Sequence, residues 1–196
     1  GVRFENEDAQ KVELVAFYNA YSNLLGTDLA AGGGGGSTDQ FNAGEVQVFG
    51  VEIGMGANMA SADSDLQIPI HVNYTFTSAE FQNSFESGYD PWGTVATGDE
   101  MPYLPKHQFN VGVDAIYKNL SVNISGSGNS KMRTIAGSEN IDLVPNTDSY
   151  FLIDISASYQ ITSTTQFVFD VRNLTDKTYL VSRRPAGLRP GLPRMI

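Results

Sequence analysis

The sequence predicts an all-β chain of antiparallel, up-and-down strands, of the kind that closes into a transmembrane β-barrel. Three observations carry this. Apolar and polar residues alternate with period two in segment after segment. The connections between these segments alternate between short and long without exception. In the five clearest segments the apolar side of the alternation carries no charge, which is what lipid contact demands.

Composition agrees. The 196-residue chain is 41% hydrophobic and only 17% charged, and its 11 Phe and 9 Tyr suit pleated sheets better than helices. Its uncharged apolar runs fall short of the roughly 20 residues a membrane helix needs, but alternating barrel strands need no such run. A net charge of −10 argues against nucleic acid, which requires Lys and Arg clusters. The absence of Cys excludes disulfides and thiolate metal sites. The two His lack zinc-type spacing, and no cofactor is expected.

The strands follow in order. Gly1, Val2, Arg3 and Phe4 read as mid-strand. In 11–22, Val12, Leu14, Ala16, Tyr18 and Ala20 alternate with Glu13, Val15, Phe17, Asn19 and Tyr21. Both sides are apolar there, and Leu14, Tyr18, Tyr21 and Leu25 also fit a helical stripe; its strand neighbours favour a strand. Phe49, Val51, Ile53 and Met55 alternate with Gly50, Glu52, Gly54 and Gly56. Ile68, Ile70, Val72, Tyr74 and Phe76 alternate with Gln67, Pro69, His71, Asn73 and Thr75. Phe109, Val111, Val113, Ala115 and Tyr117 face away from Gln108, Asn110, Gly112, Asp114 and Ile116. A tight turn at Lys118-Asn119 leads to a short strand over 120–124. Phe151, Ile153, Ile155, Ala157 and Tyr159 oppose Leu152, Asp154, Ser156, Ser158 and Gln160. Last, Phe167, Phe169 and Val171 oppose Gln166, Val168, Asp170 and Arg172.

The short connections are 6–10, 60–65, 118–119 and 161–165; the long ones are 23–44, 82–106, 134–148 and 174–193. An up-and-down barrel puts all short turns at one end and all long loops at the other, the periplasmic and extracellular ends of outer-membrane barrels. A Greek-key sandwich has no reason to keep that phase. Ten strand residues rise about 33 Å, or roughly 23 Å of depth at a 45° tilt, which matches an apolar band. Tyr117 and Tyr159 close the apolar side just before short turns, where an interfacial aromatic belt would sit; the plain preference of Tyr for strands is the competing account.

The most specific stretch is Asn173-Leu174-Thr175-Asp176-Lys177-Thr178-Tyr179, followed by Ser182-Arg183-Arg184-Pro185-Ala186-Gly187-Leu188-Arg189-Pro190-Gly191-Leu192-Pro193-Arg194. It resembles the end of TonB-dependent outer-membrane receptors, with their "N-L-x-D-x-x-Y" segment and "P-G-x-P-R" lead-in to the closing strand. Gly44-Glu45-Val46-Gln47-Val48-Phe49-Gly50-Val51-Glu52-Ile53-Gly54 is similar to the family's "G-x-E" strand. Pro102-Tyr103-Leu104-Pro105-Lys106-His107-Gln108 is similar to its "L-P-x-x-P-x-H" stretch. In series these span most of the chain in the expected order, and the ferric citrate and related siderophore branch looks closest.

The resemblance implies a parent barrel of about 22 strands around an N-terminal plug. It implies an outer-membrane receptor that binds a scarce ligand, usually a ferric siderophore or similar chelate, and imports it with energy passed through TonB. Residues 1–196 would be the C-terminal portion of that barrel, about its last eight strands. The plug, its TonB-contacting segment and the closing strand would lie outside it. The expected partners are the chelate, outer-membrane lipid and lipopolysaccharide, and the TonB complex through the plug. No residue set has a catalytic arrangement, so an enzyme is not expected.

Arg183, Arg184 and Arg189, with Arg194 beside them, concentrate positive charge in an acidic chain. The bidentate fork of Arg suits the carboxylates of an anionic ferric chelate. The competing reading pairs these Arg with acidic loops or with lipopolysaccharide phosphates. Glu52, Asp114, Asp154 and Asp170 could line a ligand path, or hydrate the lumen and pair with the plug. His71 and His107 sit on separate strands and read as satisfied or solvated rather than as metal ligands. The run Gly32 to Gly36 lacks the Lys-Ser/Thr of a phosphate loop and reads as a flexible loop tip. Asp63 and Asp65 form a calcium-like pair without the rest of a binding loop. Asn173 and Asp176 can hydrogen-bond their own backbone and turn the chain out of its strand, while Pro185, Pro190 and Pro193 stiffen the loop beyond. Two alternatives stay open. One is a soluble all-β adhesin or carbohydrate-binding module, with a second layer over the apolar side. The other is a passive porin, or an outer-membrane enzyme of the phospholipase kind, in a smaller barrel without a plug.

Overall fold

The computed structural model describes residues 1–6, 10–23, 25–27, 40–42, 44–61, 63–86, 93–183 and 187–196, with backbone alone for 25–27 and 40–42. The glycine run 32–36 and Arg184 lie outside the described residues.

In chain order the strands are β1 (Val2–Glu5), β2 (Lys11–Tyr21), β3 (Leu25–Thr27), β4 (Gln40–Asn42), β5 (Val46–Asn58), β6 (Leu66–Gln67), β7 (Pro69–Phe81), β8 (Phe85–Glu86), β9 (Thr94–Val95), β10 (His107–Tyr117), β11 (Leu120–Asn129), β12 (Tyr150–Thr162), β13 (Thr165–Val171), β14 (Leu180–Ser182) and β15 (Arg189–Pro190). One open sheet runs β1-β2-β5-β7-β10-β11-β12-β13, with β6 pairing β10 off this path. Every pairing is antiparallel. The pairs β3–β4, β8–β9 and β14–β15 are small ribbons inside three of the long connections. Among the described residues a single 3-10 turn, Ile141–Leu143, is capped by the Asn140 side chain, which accepts from the Asp142 N–H.

The doubtful segment 11–22 is a strand, paired with β5 from Lys11 to Tyr21. Its second apolar side has a local cause. The Phe17 ring lies over Gly50, where a Cβ would also strike the Phe76 carbonyl oxygen.

The register joins the alternating sides into two continuous surfaces. On the apolar side Leu14 stands opposite Ile53, Ile53 opposite Tyr74, Tyr74 opposite Phe109, Phe109 opposite Gly128 and Gly128 opposite Phe151. Nearer the short turns, Tyr117, Leu120, Tyr159 and Phe167 form another row. These side chains are open: Phe151 is 45% and Phe167 61% exposed, and among the described residues no second layer covers them. That removes the layer a sandwich would need. On the polar side the rows hold Glu52, Thr75, Gln108, Asn129 and Tyr150, or Asn73, Asn110 and Ser127.

Three strands run further than the alternation predicts. β11 reaches Asn129 rather than 124. Its added apolar-side positions are Gly126 and Gly128, whose missing side chains are replaced by the Phe151 ring lying across them. β5 and β7 extend to Val46 and Phe81 at the long-loop end because the alternation inverts there. From Phe49 and Phe76 toward the short turns, large apolar residues take the open side. Beyond them, Val46 (1% exposed) and Phe81 (0%) are buried on the opposite side with Ala79 and Val95. Val48, Phe85, Met101, Leu104 and Ala136 pack around this cluster, which is the main core. Connection 82–106 supplies much of it, folding back over the polar side of the sheet.

The predicted segment 67–76 is also broken once. Pro69 has no N–H for the ladder, and the Asn58 side chain takes the Ile68 and Ala60 N–H groups instead, at 2.9 and 3.1 Å. At the other edge, Arg172 and Met195 exchange backbone hydrogen bonds of 3.0 and 3.1 Å, where the last long connection returns to β13.

Candidate functional site: a rim of three interlocked loops

Connection 82–106 descends along the end of β7. Phe81 N donates to Asp99 O at 2.9 Å, Met101 N to Ala79 O at 2.9 Å and Thr77 N to Lys106 O at 3.0 Å. Tyr103, in left-handed backbone conformation (φ 60), donates its N–H to Arg133 O at 2.9 Å. Glu100 N donates to Gly137 O at 2.9 Å, so this loop is stitched to the next.

The connection between β11 and β12 is itself a hairpin: Thr147 N reaches Met132 O at 2.9 Å and Thr134 N reaches Pro145 O at 3.0 Å. Arg133 is only 3% exposed. Its Nε donates to Glu100 Oε2 at 3.3 Å and its Nη2 to Glu139 O at 2.7 Å. Lys106 Nζ holds the other Glu100 oxygen at 2.5 Å. A cavity of about 290 Å³ opens beside Glu100, Lys106, Arg133 and Glu139.

The motif Asn173 to Tyr179 folds as a knot. Asn173 (φ 49, 3% exposed) accepts the Lys177 N–H at 2.8 Å and donates its Nδ2 to Lys177 O and Leu192 O, both at 2.9 Å. Its own N–H goes to the Asp154 carboxylate at 2.7 Å. Asp176 (φ 53) accepts the Arg194 N–H at 3.1 Å. The short polar side chains of Asn and Asp make this backbone conformation tolerable. Tyr179 lies against Gly191, where a Cβ would strike its ring, and 4.3 Å from the Tyr150 ring. Burial raises the Tyr179 pKa above 10.0, and the nearby Tyr150 and Asp154 add to it against the lowering effect of Leu192.

This places the expected residues. Arg183 donates its Nε to Asn146 O at 2.7 Å. Arg189 stands in β15 opposite Ser182, the residue before Arg183, so the two arginines share one small ribbon. Arg194 pairs with Asp176 at 3.7 Å and donates to Leu174 O at 3.4 Å, as the ion-pair reading has it. The polar-side acids are mostly held by their own chain: Asp154 by Asn173, Asp114 by Asn123 Nδ2 at 2.8 Å and Asp170 by Arg172 at 3.2 Å. Glu52 lines a hollow of about 350 Å³ with Glu13, Asn73 and Thr75. His71 lies over Gly112 on the polar side. His107 is on the other side, its Nδ1 sharing a hydrogen bond of 2.8 Å with the Tyr74 hydroxyl, so the two cannot share an ion. Sequence reasoning missed Arg133. A lone Arg in an aperiodic loop carries no signal of the burial that makes it structural.

A meander with one open apolar side, one polar side and interlocked loops at one end is a segment of the wall of a large β-barrel. The chain belongs to the family described as TonB dependent receptor-like, beta-barrel, whose family model matches residues 1–174. Similar solved structures include the ferric-catecholate import receptor Fiu from K12 E. coli, at 21% identity and TM-score 0.67 over 98% of this chain and 25% of that one. The ferric yersiniabactin uptake receptor FyuA from Yersinia pestis matches at 16% identity and TM-score 0.69, covering 98% and 27%. The ferric citrate transporter FecA matches at 20% identity and TM-score 0.67, covering 98% and 28%. At these identities the likeness is one of fold, and the chain spans about a quarter of each receptor. No curated protein matches. The family is one of transport receptors of the bacterial outer membrane.

Proposed function

We propose that this chain is the C-terminal part of the wall of an outer-membrane receptor that takes up a ferric siderophore-type chelate with TonB-supplied energy. The open apolar side faces lipid. On β12 the aromatic rows lie eight residues apart (159 − 151), as they do on β10 (117 − 109). Eight residues rise about 27 Å, or roughly 19–22 Å of depth at 35–45° of tilt, close to the apolar band of such barrels. The polar side faces a lumen filled by a plug domain, and the loop rim faces outward.

The observation that supports the ligand reading is that Arg183 and Arg189 both belong to the last long connection, at or beside the β14–β15 ribbon, in a chain of net charge −10. With Arg184 they form the anion-binding group for the chelate. The similar receptors act on ferric-catecholate, ferric yersiniabactin and ferric citrate, which are ligands of that chemistry. The test is uptake of radiolabelled ferric citrate and ferric catecholate by cells carrying the full receptor, with and without TonB. Replacing Arg183, Arg184 and Arg189 together by Ala should weaken binding. Unchanged affinity would reject their role, and TonB-independent uptake would reject active transport.

A further inference from the structure

The three loops are joined edge to edge. Asn146 forms a β-bridge with Arg133, and its side chain donates to Ile141 O at 2.8 Å and Val144 O at 2.9 Å. Its carbonyl takes the Arg183 guanidinium. Next to it, Asp148 N donates to Leu180 O at 3.2 Å and Leu180 N donates to the Asp148 carboxylate at 2.8 Å. The hairpin 130–149 is therefore flanked by 82–106 on one side and by the arginine ribbon on the other, and Arg133 sits in the first of these seams.

A buried guanidinium is costly unless fully paired. Arg133 is nine-tenths buried and still leaves Nη1 without a hydrogen bond, 3.6 Å from Glu139 Oε2. Gly137 packs against that nitrogen, and a Cβ there would collide with it. Nη1 is itself buried, and the hydrogen bonds of the group go to its own protein. Its contacts go to the preceding loop through Glu100 and to its own hairpin through Glu139 O and Asn146.

We propose that Arg133 is a positioning residue: it locks connections 82–106 and 130–149 into one body and, through Asn146, fixes where Arg183 stands. The ligand consequence rests on the reading of Arg183 given above; the mechanical coupling does not. The rim is preformed by this lock before any chelate arrives.

The experiment is amide hydrogen exchange on the full receptor, read by mass spectrometry, with Arg133→Met. Exchange should accelerate at Glu100 and Tyr103 and also at Leu180, across the far seam. The expected factor is about 2- to 30-fold, the range for coupled sites. Val111 and Ile155 in the sheet should keep their protection. Unchanged exchange at Leu180 beside fast exchange at Tyr103 would overturn the proposal. If Arg133→Met fails to fold, Glu100→Gln, which removes the charge that pairs with Arg133 and Lys106, carries the same readout, with Lys106→Met as the control for the second pair. Arg133→Lys, which keeps a charge for Glu100, should restore Tyr103 in part. A parallel measurement uses ferric citrate: Arg133→Met should weaken its binding within the same range, with Arg183 intact. If Arg183→Ala binds ferric citrate as the parent does, the ligand reading fails while the Leu180 result still decides the coupling.

Discussion

Asn173→Ala is expected to release the last long loop while the sheet stays paired. The alanine loses three side-chain hydrogen bonds, one from Lys177 N and two to the Lys177 and Leu192 carbonyls. At about 0.5–1.5 kcal/mol each they contribute roughly 1.5–4.5 kcal/mol. The φ of 49° adds a second cost, since an alanine in left-handed conformation costs about 1–2 kcal/mol. The total is roughly 2.5–6.5 kcal/mol of local stability. Asn173→Gly loses the same hydrogen bonds without the backbone cost, so it should be milder by about 1–2 kcal/mol. The assay is hydrogen exchange at the Lys177 and Gly191 amides, whose acceptors are Asn173 Oδ1 and Tyr179 O. The reasoning is refuted if Lys177 protection falls by less than about tenfold, which is about 1.4 kcal/mol. It is also refuted if the Ala and Gly variants are equally damaged.

Three further expectations concern the sheet and its cover. Ile155→Arg puts a charge on the open apolar side and should destabilise insertion into lipid vesicles by about 2–4 kcal/mol; Ser156→Arg, one residue away and opposite Asp170, should cost far less. Equal effects in denaturant titrations of the reconstituted receptor would reverse the assignment of sides. Gly50→Ala should cost about 1–3 kcal/mol by overpacking against the Phe76 carbonyl and the Phe17 ring. Gly54→Ala meets the Asn73 side chain at 3.4 Å and the Glu13 Cβ at 3.9 Å, both at ordinary contact distance, and should be tolerated, as thermal unfolding of the two variants can report. Tyr179 has a raised pKa, so its contribution is complete below pH 10.0 and is lost as pH rises through the higher folded value. Alkaline titration should therefore loosen the last loop, and Tyr179→Phe should remove that transition from exchange at Gly191.

Much of this architecture could be read from residue order alone. The period of two and the long-short phase of the connections depend only on which residues meet water, and the Asn173 motif forms a local knot from its own side chains. The upper ends of β5 and β7 were hidden because Val46, Val48, Ala79 and Phe81 keep the period but change sides. A pattern reading that assigns one solvent to each side stops at such an inversion. β11 was cut short because Gly126 and Gly128 borrow their apolar cover from Phe151. The partner of Asp154 is Asn173, nineteen residues on and past the end of β13, and Arg133 is buried between loops, so no local window contains the contacts that define them.

The inversion on β5 and β7 also separates strand length from membrane thickness. Both strands have 13 residues, yet their lipid-facing stretch ends at Phe49 and Phe76. The three to five residues beyond rise about 10–17 Å along the strand, or roughly 7–13 Å above the apolar band once tilted. On the proposed membrane reading, the barrel wall would stand as a parapet over the headgroups, with its own hydrophobic filling. If the chain acts as proposed, a chelate diffusing in water would meet the receptor at that height, above the membrane surface.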